Sequence, residues 1–576
     1  MQSRIQLIAL GFILAFSAVG ARLFYWQVIS GKNLSSQAKI QYESGKTILA
    51  PRGNILASDS TWLAASGEAW LLYAYLTNIT DDLKIIADKL APILIEKEKE
   101  EDDLVYKERL LQETKRIYTQ LTRTGVIWVP LKQKLSPEIK QKIEKLNLPG
   151  LGFELEERRV YPEASSAAHL LGFVGKNEEG EDTGYFGLEG YYDLSLSGKP
   201  GFLKRESDAK GIPILFGDSR EIGAVGGIDL QTHLDKTVQL IIEEKLAAGI
   251  EKYGAAEGSV VVMDPKNGAI LGMTTYPFYD PSNYTKYSNE YFKNPVVSSS
   301  FEPGSIFKIL VMSAALDAEV VNPDTKCEIC VGPLQVDKYY IRTWNDQYRP
   351  DSTMVDIIVY SDNVGMAFVG QKLGADKLYD YLDAFGIGKL TGIDLQGEAT
   401  PKLRSKEEWN IVDVSTTSFG QGIALTPIQM LKAVSAIAND GILVKPQVVD
   451  KLQGRGWLED IKPQFDGRVI SEDTAKIMKS IMVEAAKNGE AKWTHLRGFK
   501  VAGKTGTAQI PVAGHYDDEK TIASFIGFAP SDNPEFLMLV TLREPKSSPW
   551  ASETAAPLWY SIANELFLYL GIQPEN

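Results

Sequence analysis

Histidine and cysteine are scarce in this chain, 4 and 2 among 576 residues. Two cysteines cannot brace a disulfide scaffold or hold several zinc ions. The histidines, at 169, 233, 495 and 515, are too scattered for a histidine-rich metal centre. Basic residues are also in deficit, with 61 Lys plus Arg against 75 Asp plus Glu and a formal charge of -14. A nucleic-acid binder normally shows a basic excess or stripe, so no nucleic-acid partner is expected. Internal repeats and low-complexity linkers are missing as well. What is present is globular in character, 44% hydrophobic and 24% charged, which excludes a disordered polymer. The length predicts two or three domains.

The one long hydrophobic run lies at the start. Ile5 to Ala21 is apolar apart from Gln6 and Ser17, with Arg4 before it and Arg22 after it. A bilayer core of ~30 Å needs about 20 helical residues, and Ile5 to Ile29 supplies them if Arg22 snorkels. Phe24, Tyr25 and Trp26 suit an interfacial aromatic belt. Val19-Gly20-Ala21 resembles a signal-peptide cleavage site, but the apolar run continues past it, which favours a retained anchor. The reading is a short cytoplasmic tail at 1–4, a transmembrane anchor at 5–26, and an extracytoplasmic remainder. Arg4 alone is a weak topological signal.

Residues 27–230 mix short strands, glycine-rich turns and a charged stretch, Ile95 to Arg116, that predicts a solvated amphipathic helix. Near Gly226-Gly227 the texture changes to longer apolar elements, and a second domain is expected over 231–576. Ser259 to Asp264 and Ala269 to Thr275 flank Pro265-Lys266-Asn267-Gly268, a strong hairpin signal. Phe499 to Ile510, Thr521 to Phe528 and Phe536 to Arg543 read as three further strands. Ile306 to Leu316, Thr426 to Asn439 and Ala555 to Leu570 read as helices. The fold class is therefore α+β: a five-stranded antiparallel sheet flanked by helices, behind a mixed α/β domain and an N-terminal helix.

Within the second domain, Phe301-Glu302-Pro303-Gly304 leads into an apolar helix carrying Ser305 and Lys308 in its first turn. Residues three apart share a helix face, and a desolvated lysine can activate a serine. The spacing alone is weak, since Ser36/Lys39 and Ser207/Lys210 repeat it without the Pro-Gly entry. Two further strings strengthen it. Ser361-Asp362-Asn363 follows a helical stretch, and Lys504-Thr505-Gly506-Thr507 sits on a predicted strand. A second Ser-Asp-Asn at 531–533 precedes Pro534 and reads as a turn. The ordered triple is the signature of penicillin-binding proteins and class A β-lactamases.

Chemically the parts suit acyl transfer through a serine ester. Ser361 can relay a proton between Lys308 and a leaving amine, and the Asn363 amide can hold a substrate peptide group. Lys504, Thr505 and Thr507 can bind a substrate carboxylate. Gly506 is expected to clear space where a ligand backbone pairs along the strand. No cofactor and no metal are required.

The chain resembles the class B penicillin-binding proteins, monofunctional peptidoglycan D,D-transpeptidases anchored by one helix. Residues 27–230 resemble that family's pedestal at Arg52-Gly53-Asn54-Ile55, Arg159-Val160-Tyr161-Pro162, Ala168-His169, Leu171-Gly172-Phe173, Gly187-Leu188-Glu189 and Leu196-Ser197-Gly198. Ala57-Ser58-Asp59-Ser60 departs from the usual Asp-Arg-Asn-Gly and leaves that turn open. Tyr360-Ser361-Asp362-Asn363-Val364-Gly365, Ser418-Phe419-Gly420-Gln421-Gly422 and Leu542-Arg543-Glu544-Pro545 resemble the cell-division branch, with an elongation-type enzyme as the alternative. The resemblance implies an oxyanion hole from the Ser305 and Thr507 N–H groups and a D-Ala-D-Ala stem peptide as donor. It also implies acylation by β-lactams, and as partners a multi-spanning glycosyltransferase and other division proteins.

A β-lactamase needs a deacylating carboxylate, and its Glu-x-x-Leu-Asn string is missing. No glycosyltransferase motif occurs in residues 30–230. A non-catalytic divisome scaffold or β-lactam sensor would not need an intact triple. Cys327 and Cys330 allow either a small-loop disulfide or two free thiols.

Overall fold

The computed structural model describes residues 2–31, 34, 43–97, 101–206, 219–512 and 515–574. It forms two compact units, 1–52 with 197–227 and 53–196 with 228–576. In the first, the helix Gln2–Phe24 runs into a wider π turn, Tyr25–Ile29. Its mean hydropathy reaches 2.1, and among the described residues it is the one helix long and apolar enough to cross a bilayer. The same unit holds a small antiparallel sheet in which Gly201–Glu206 lies between Glu43–Ile48 and Ser219–Ile222.

The second unit begins with a mixed sheet. Its strands run in the order Trp457–Asp460, Val449–Gly454, Asp229–Thr232, Ile55–Leu56, Trp62–Tyr75 and Trp128–Leu135, with Leu151–Val160 also paired to Trp62–Tyr75. Three of the segments singled out before residue 230, at Gly53, Arg159 and Glu189, meet there. Arg159 donates to Gly53 O at 2.7 Å and to Glu189 at 2.6 Å, and both members of that ion pair are buried. A buried pair of this kind resists the loss of either partner, because the survivor is left as an uncompensated charge. The turn left open by sequence is closed by Asp59, whose carboxylate accepts the Thr61 N–H and hydroxyl at 3.0 and 2.6 Å.

The charged stretch differs from its expectation. Helix begins only at Asp103 and runs to Leu121, because the Asp102 side chain caps the Leu104 N–H. Ile95 ends the preceding helix, Leu83–Leu94, and residues 98–100 lie outside the description. Leu104 and Leu111 are exposed, as a solvated helix requires.

The five-stranded antiparallel sheet is present, in the order Ile270–Tyr276, Glu257–Met263, Phe536–Arg543, His515–Ala529, Ala502–Val512. Its strands are apolar on both faces, so alternate side chains feed two cores. Val260, Val262, Phe525, Met538 and Val540 pack with the helices Lys236–Tyr253 and Ala555–Tyr569. Val261, Met263, Ile526, Leu537 and Leu539 pack with the helices Lys308–Asp317, Pro427–Ala438 and Glu472–Asn488. Ala502–Val512 is left as an edge strand, its outer side unpaired within the sheet. The second Ser-Asp-Asn string lies in the turn between His515–Ala529 and Phe536–Arg543. Cys327 and Cys330 form a buried disulfide.

Candidate active site

Ser305 stands in a single 3-10 turn, Gly304–Phe307, that leads into the α-helix Lys308–Asp317. The turn is tighter than the α-helical start expected from sequence. Its backbone is pinned from two sides. Gly304 N–H bonds Gly420 O at 3.1 Å, and Phe301 exchanges backbone bonds with Leu425 at 3.0 and 3.1 Å. Gly304 has φ +54, and a Cβ there would meet Thr507 O at 2.9 Å, so glycine is required.

Gly506 serves the same packing. A Cβ on it would stand 2.9 Å from Ile306 N and 3.1 Å from Pro303 O. Its missing side chain therefore lets the edge strand close onto the serine turn. A Cβ here would thus crowd the protein's own serine turn, a packing role beside the room for a ligand backbone expected from sequence.

Lys308 is fully buried. Its ammonium nitrogen reaches Ser361 O at 2.5 Å, Ser361 Oγ at 3.2 Å and Asn363 Oδ1 at 2.8 Å. Burial, with the nearby Lys504 charge, pulls its pKa from 10.5 to about 7, while Glu490 and Asp362 push the other way. Among the described residues no hydrogen bond joins Lys308 to Ser305, although they lie three residues apart across the start of the helix. Catalytic bonds of this kind are often loose until a ligand arrives.

Ser361 occupies a left-handed conformation, φ +57, between the helices Met354–Val359 and Asn363–Leu373. Such a backbone costs a non-glycine residue roughly 1–3 kcal/mol and persists only where its surroundings over-determine it. Here Asp362 caps the following helix through Val364 N and Gly365 N at 2.8 and 3.0 Å, while Lys308 grips the Ser361 carbonyl. Ser361 Oγ consequently lies between two buried amines, 3.2 Å from Lys308 Nζ and 3.0 Å from Lys504 Nζ. Asn363 also donates to Arg342 O at 3.0 Å, which leaves one amide N–H for a ligand.

Lys504 Nζ further bonds Thr505 O and Oγ1 at 3.0 and 3.2 Å, and burial lowers its pKa against an opposing pull from Glu490. Thr505 donates its hydroxyl to Glu490 Oε2 at 2.8 Å. Thr507 Oγ1 accepts the Ala551 N–H at 3.0 Å, so its own proton remains to be donated.

Ser305, Ser361, Asn363 and Thr507 line one cavity with Trp344, Phe419, Gln421, Glu490 and Trp550. The cavity thus unites residues from three distant strings of sequence, and the arrangement can carry acyl transfer from a carboxylate-bearing peptide. Sequence reasoning missed Glu490, Trp344 and Trp550. Glu490 follows a helix C-terminus, and nothing in Asn488-Gly489-Glu490 announces chemistry. The two tryptophans, with ring centroids 5.3 Å apart, meet only through the fold. Ser36/Lys39 and Ser207/Lys210 lie outside the described residues.

Comparison with known proteins adds two domain matches, the penicillin binding protein transpeptidase domain over residues 258–566 and the penicillin-binding protein dimerisation domain over 47–232. The chain is 32% identical to stage V sporulation protein D of Bacillus subtilis over 588 residues, covering 100% of this chain and 87% of that protein. It is 29% identical to the peptidoglycan D,D-transpeptidase FtsI of Buchnera aphidicola, covering 78% of this chain and 76% of the relative. Among solved structures, penicillin binding protein 2X from Streptococcus thermophilus is 25% identical with a TM-score of 0.73, over 92% of this chain and 83% of that one.

Proposed function

Because this chain belongs to the class B penicillin-binding proteins, in their FtsI-like branch, we propose that Ser305 is the nucleophile of its transpeptidation. The chain is a β-lactam-binding peptidoglycan D,D-transpeptidase. The observation that carries the site assignment is the convergence on Ser361 Oγ of two buried lysines, 3.2 and 3.0 Å away, in the cavity that holds Ser305.

In the proposed sequence Ser305 Oγ attacks the carbonyl of the penultimate D-Ala and its proton passes to Lys308. With a pKa of about 7, Lys308 is substantially neutral near neutral pH and can accept it. The N–H groups of Ser305 and Thr507 hold the developing oxyanion. The peptide C–N bond then breaks, and the leaving D-Ala amine takes a proton through Ser361. An acceptor amine attacks the ester, gives up a proton by the same route, and releases Ser305 Oγ with a new amide formed. Lys504 and Thr507 bind the donor's terminal carboxylate, and Thr505, its hydroxyl proton given to Glu490, holds Lys504 in place. Asn363 orients the donor's peptide group, and Gly506 seats the strand.

We assign residues 27–230 to the pedestal and 231–576 to the transpeptidase domain. The protein is a single-pass membrane protein; an inner-membrane location with the catalytic domain outside the cytoplasm follows from a peptidoglycan substrate. A septal role in division is favoured over elongation by Tyr360-Ser361-Asp362-Asn363 and Ser418-Phe419-Gly420-Gln421-Gly422. A multi-spanning glycosyltransferase and other division proteins are the proposed partners. Peptide mapping after penicillin labelling tests the site: the penicilloyl group should lie on the Ser305 peptide, and its recovery on any other serine refutes the assignment.

A further inference from the structure

Two buried lysines share one hydroxyl in this site, and among the described residues that line the cavity Glu490 is the one carboxylate. Glu490 is half-buried, follows the helix Glu472–Asn488, and accepts the Thr505 hydroxyl at 2.8 Å. That bond fixes the carboxylate beside Thr505, whose hydroxyl also accepts from Lys504 at 3.2 Å. Like charges buried together repel, and an unpaired buried ammonium is costly. A site that needs one amine charged, to hold a carboxylate, and the other neutral, to take a proton, must break the symmetry between them.

We propose that Glu490 is a positioning residue that breaks this symmetry, so that Lys504 is kept an ammonium while Lys308 stays ready to accept the Ser305 proton. The Thr505 hydroxyl, which donates to Glu490 and accepts from Lys504, ties the Glu490 carboxylate to Lys504, whereas Lys308 bonds Ser361 and Asn363. The inference rests on the reading of Ser305, Lys308 and Lys504 given above. The charged groups facing the pair are few. Lys308 faces Lys504, Glu490 and Asp362, the last tied to the N-terminus of the helix Asn363–Leu373; Lys504 faces Glu490. Farther out, Glu302 accepts the Gly422 N–H, and Arg342 lies 3.8 Å from Asp346. Glu490 raises both lysines against the fall that burial imposes. Removing its charge must therefore lower both, and a neutral isostere isolates that effect, because Gln keeps an oxygen for the Thr505 hydroxyl.

The test is the second-order rate of acylation by a fluorescent penicillin, measured on the full chain in detergent from pH 5.5 to 9.5. The wild type should give a bell, its acid limb set by Lys308 and its alkaline limb by Lys504. In Glu490→Gln both limbs should move to lower pH, the alkaline limb of Lys504 further than the acid limb. The alkaline limb should move by about one unit or more, because a unit charge a few ångströms away in protein shifts a titration by at least that much. Glu490→Asp, which retains the charge, should keep both limbs near their wild-type positions. It also serves as the second variant should Glu490→Gln fail to fold: limbs displaced in Glu490→Asp as far as one full unit overturn the proposal. A uniform fall in rate at every pH, with the limbs unmoved, assigns Glu490 a purely structural role and also overturns it. Unmoved limbs with a longer-lived penicilloyl ester would make Glu490 a base for deacylation, a third refutation. Ser305→Ala, run in parallel, must stay unlabelled. If it labels, the nucleophile assignment fails on its own, whatever the limbs do.

Discussion

Thr507→Val separates carboxylate recognition from strand geometry. The Thr507 hydroxyl already accepts the Ala551 N–H at 3.0 Å, so its single proton is free for a ligand oxygen. A hydrogen bond to a charged partner is worth roughly 1.5–3 kcal/mol. At 1.4 kcal/mol per decade, losing it should slow acylation by about tenfold to a hundredfold. Valine also strands the Ala551 N–H, a backbone group in a buried residue, and an orphaned amide costs about 1–3 kcal/mol. Thermal melting should therefore fall as well. Thr507→Ser, which keeps the hydroxyl, should melt close to wild type and acylate within about threefold of it. The assay is stopped-flow acylation by a penicillin and by a carboxylate-free analogue, alongside a melting curve. Penicillin should lose most of its rate in Thr507→Val while the analogue loses little. An equal loss for both ligands refutes the reasoning, because the hydroxyl would then support the strand without reading charge.

Other outcomes follow from the same geometry. With Lys308 at about pKa 7, its neutral fraction rises with pH, so acylation should drop about eightfold between pH 7.5 and pH 6; a flat rate across that range contradicts the base assignment. Gly506→Ala forces a methyl group to within 2.9 Å of Ile306 N and should cut acylation at least tenfold with a smaller loss of melting temperature, which parallel rate and melting measurements would reveal. Asp362→Ala removes two cap bonds beneath Ser361 and should cost about 1–2 kcal/mol in denaturant unfolding. The penicilloyl ester should last many minutes, and rapid turnover of a chromogenic cephalosporin would contradict a transpeptidase.

Local signals made much of the fold legible. Asn267-Gly268 between two β-rich runs announced the first hairpin, and the turn closes as expected with Gly268 N–H on Asp264 O at 2.9 Å. Thr426 and Gln429 form a capping box that starts the helix Pro427–Ala438 where the apolar pattern begins. The mixed sheet was not legible, because Asp229–Thr232 pairs with Ile55–Leu56 on one side and Val449–Gly454 on the other. Such pairings join strands far apart in sequence and leave no periodicity to read. In the site, short strings marked Ser305, Lys308, Ser361, Asn363 and Lys504 because each carries reactive chemistry at fixed spacing. Glu490 carries no such spacing, and its importance arises only where the fold sets it beside Thr505. For Gly506 the sequence suggested room for a ligand and could not show its packing against Ile306 and Pro303, which only the fold brings together.

Intact-mass spectrometry of the full chain after exposure to penicillin G tests the central claim most directly. The wild type should gain one whole penicillin, added without loss of atoms because the lactam opens onto Ser305 Oγ, and Ser305→Ala should gain none while melting as the wild type does. A folded Ser305→Ala that still takes up one equivalent would place the nucleophile elsewhere and contradict the account.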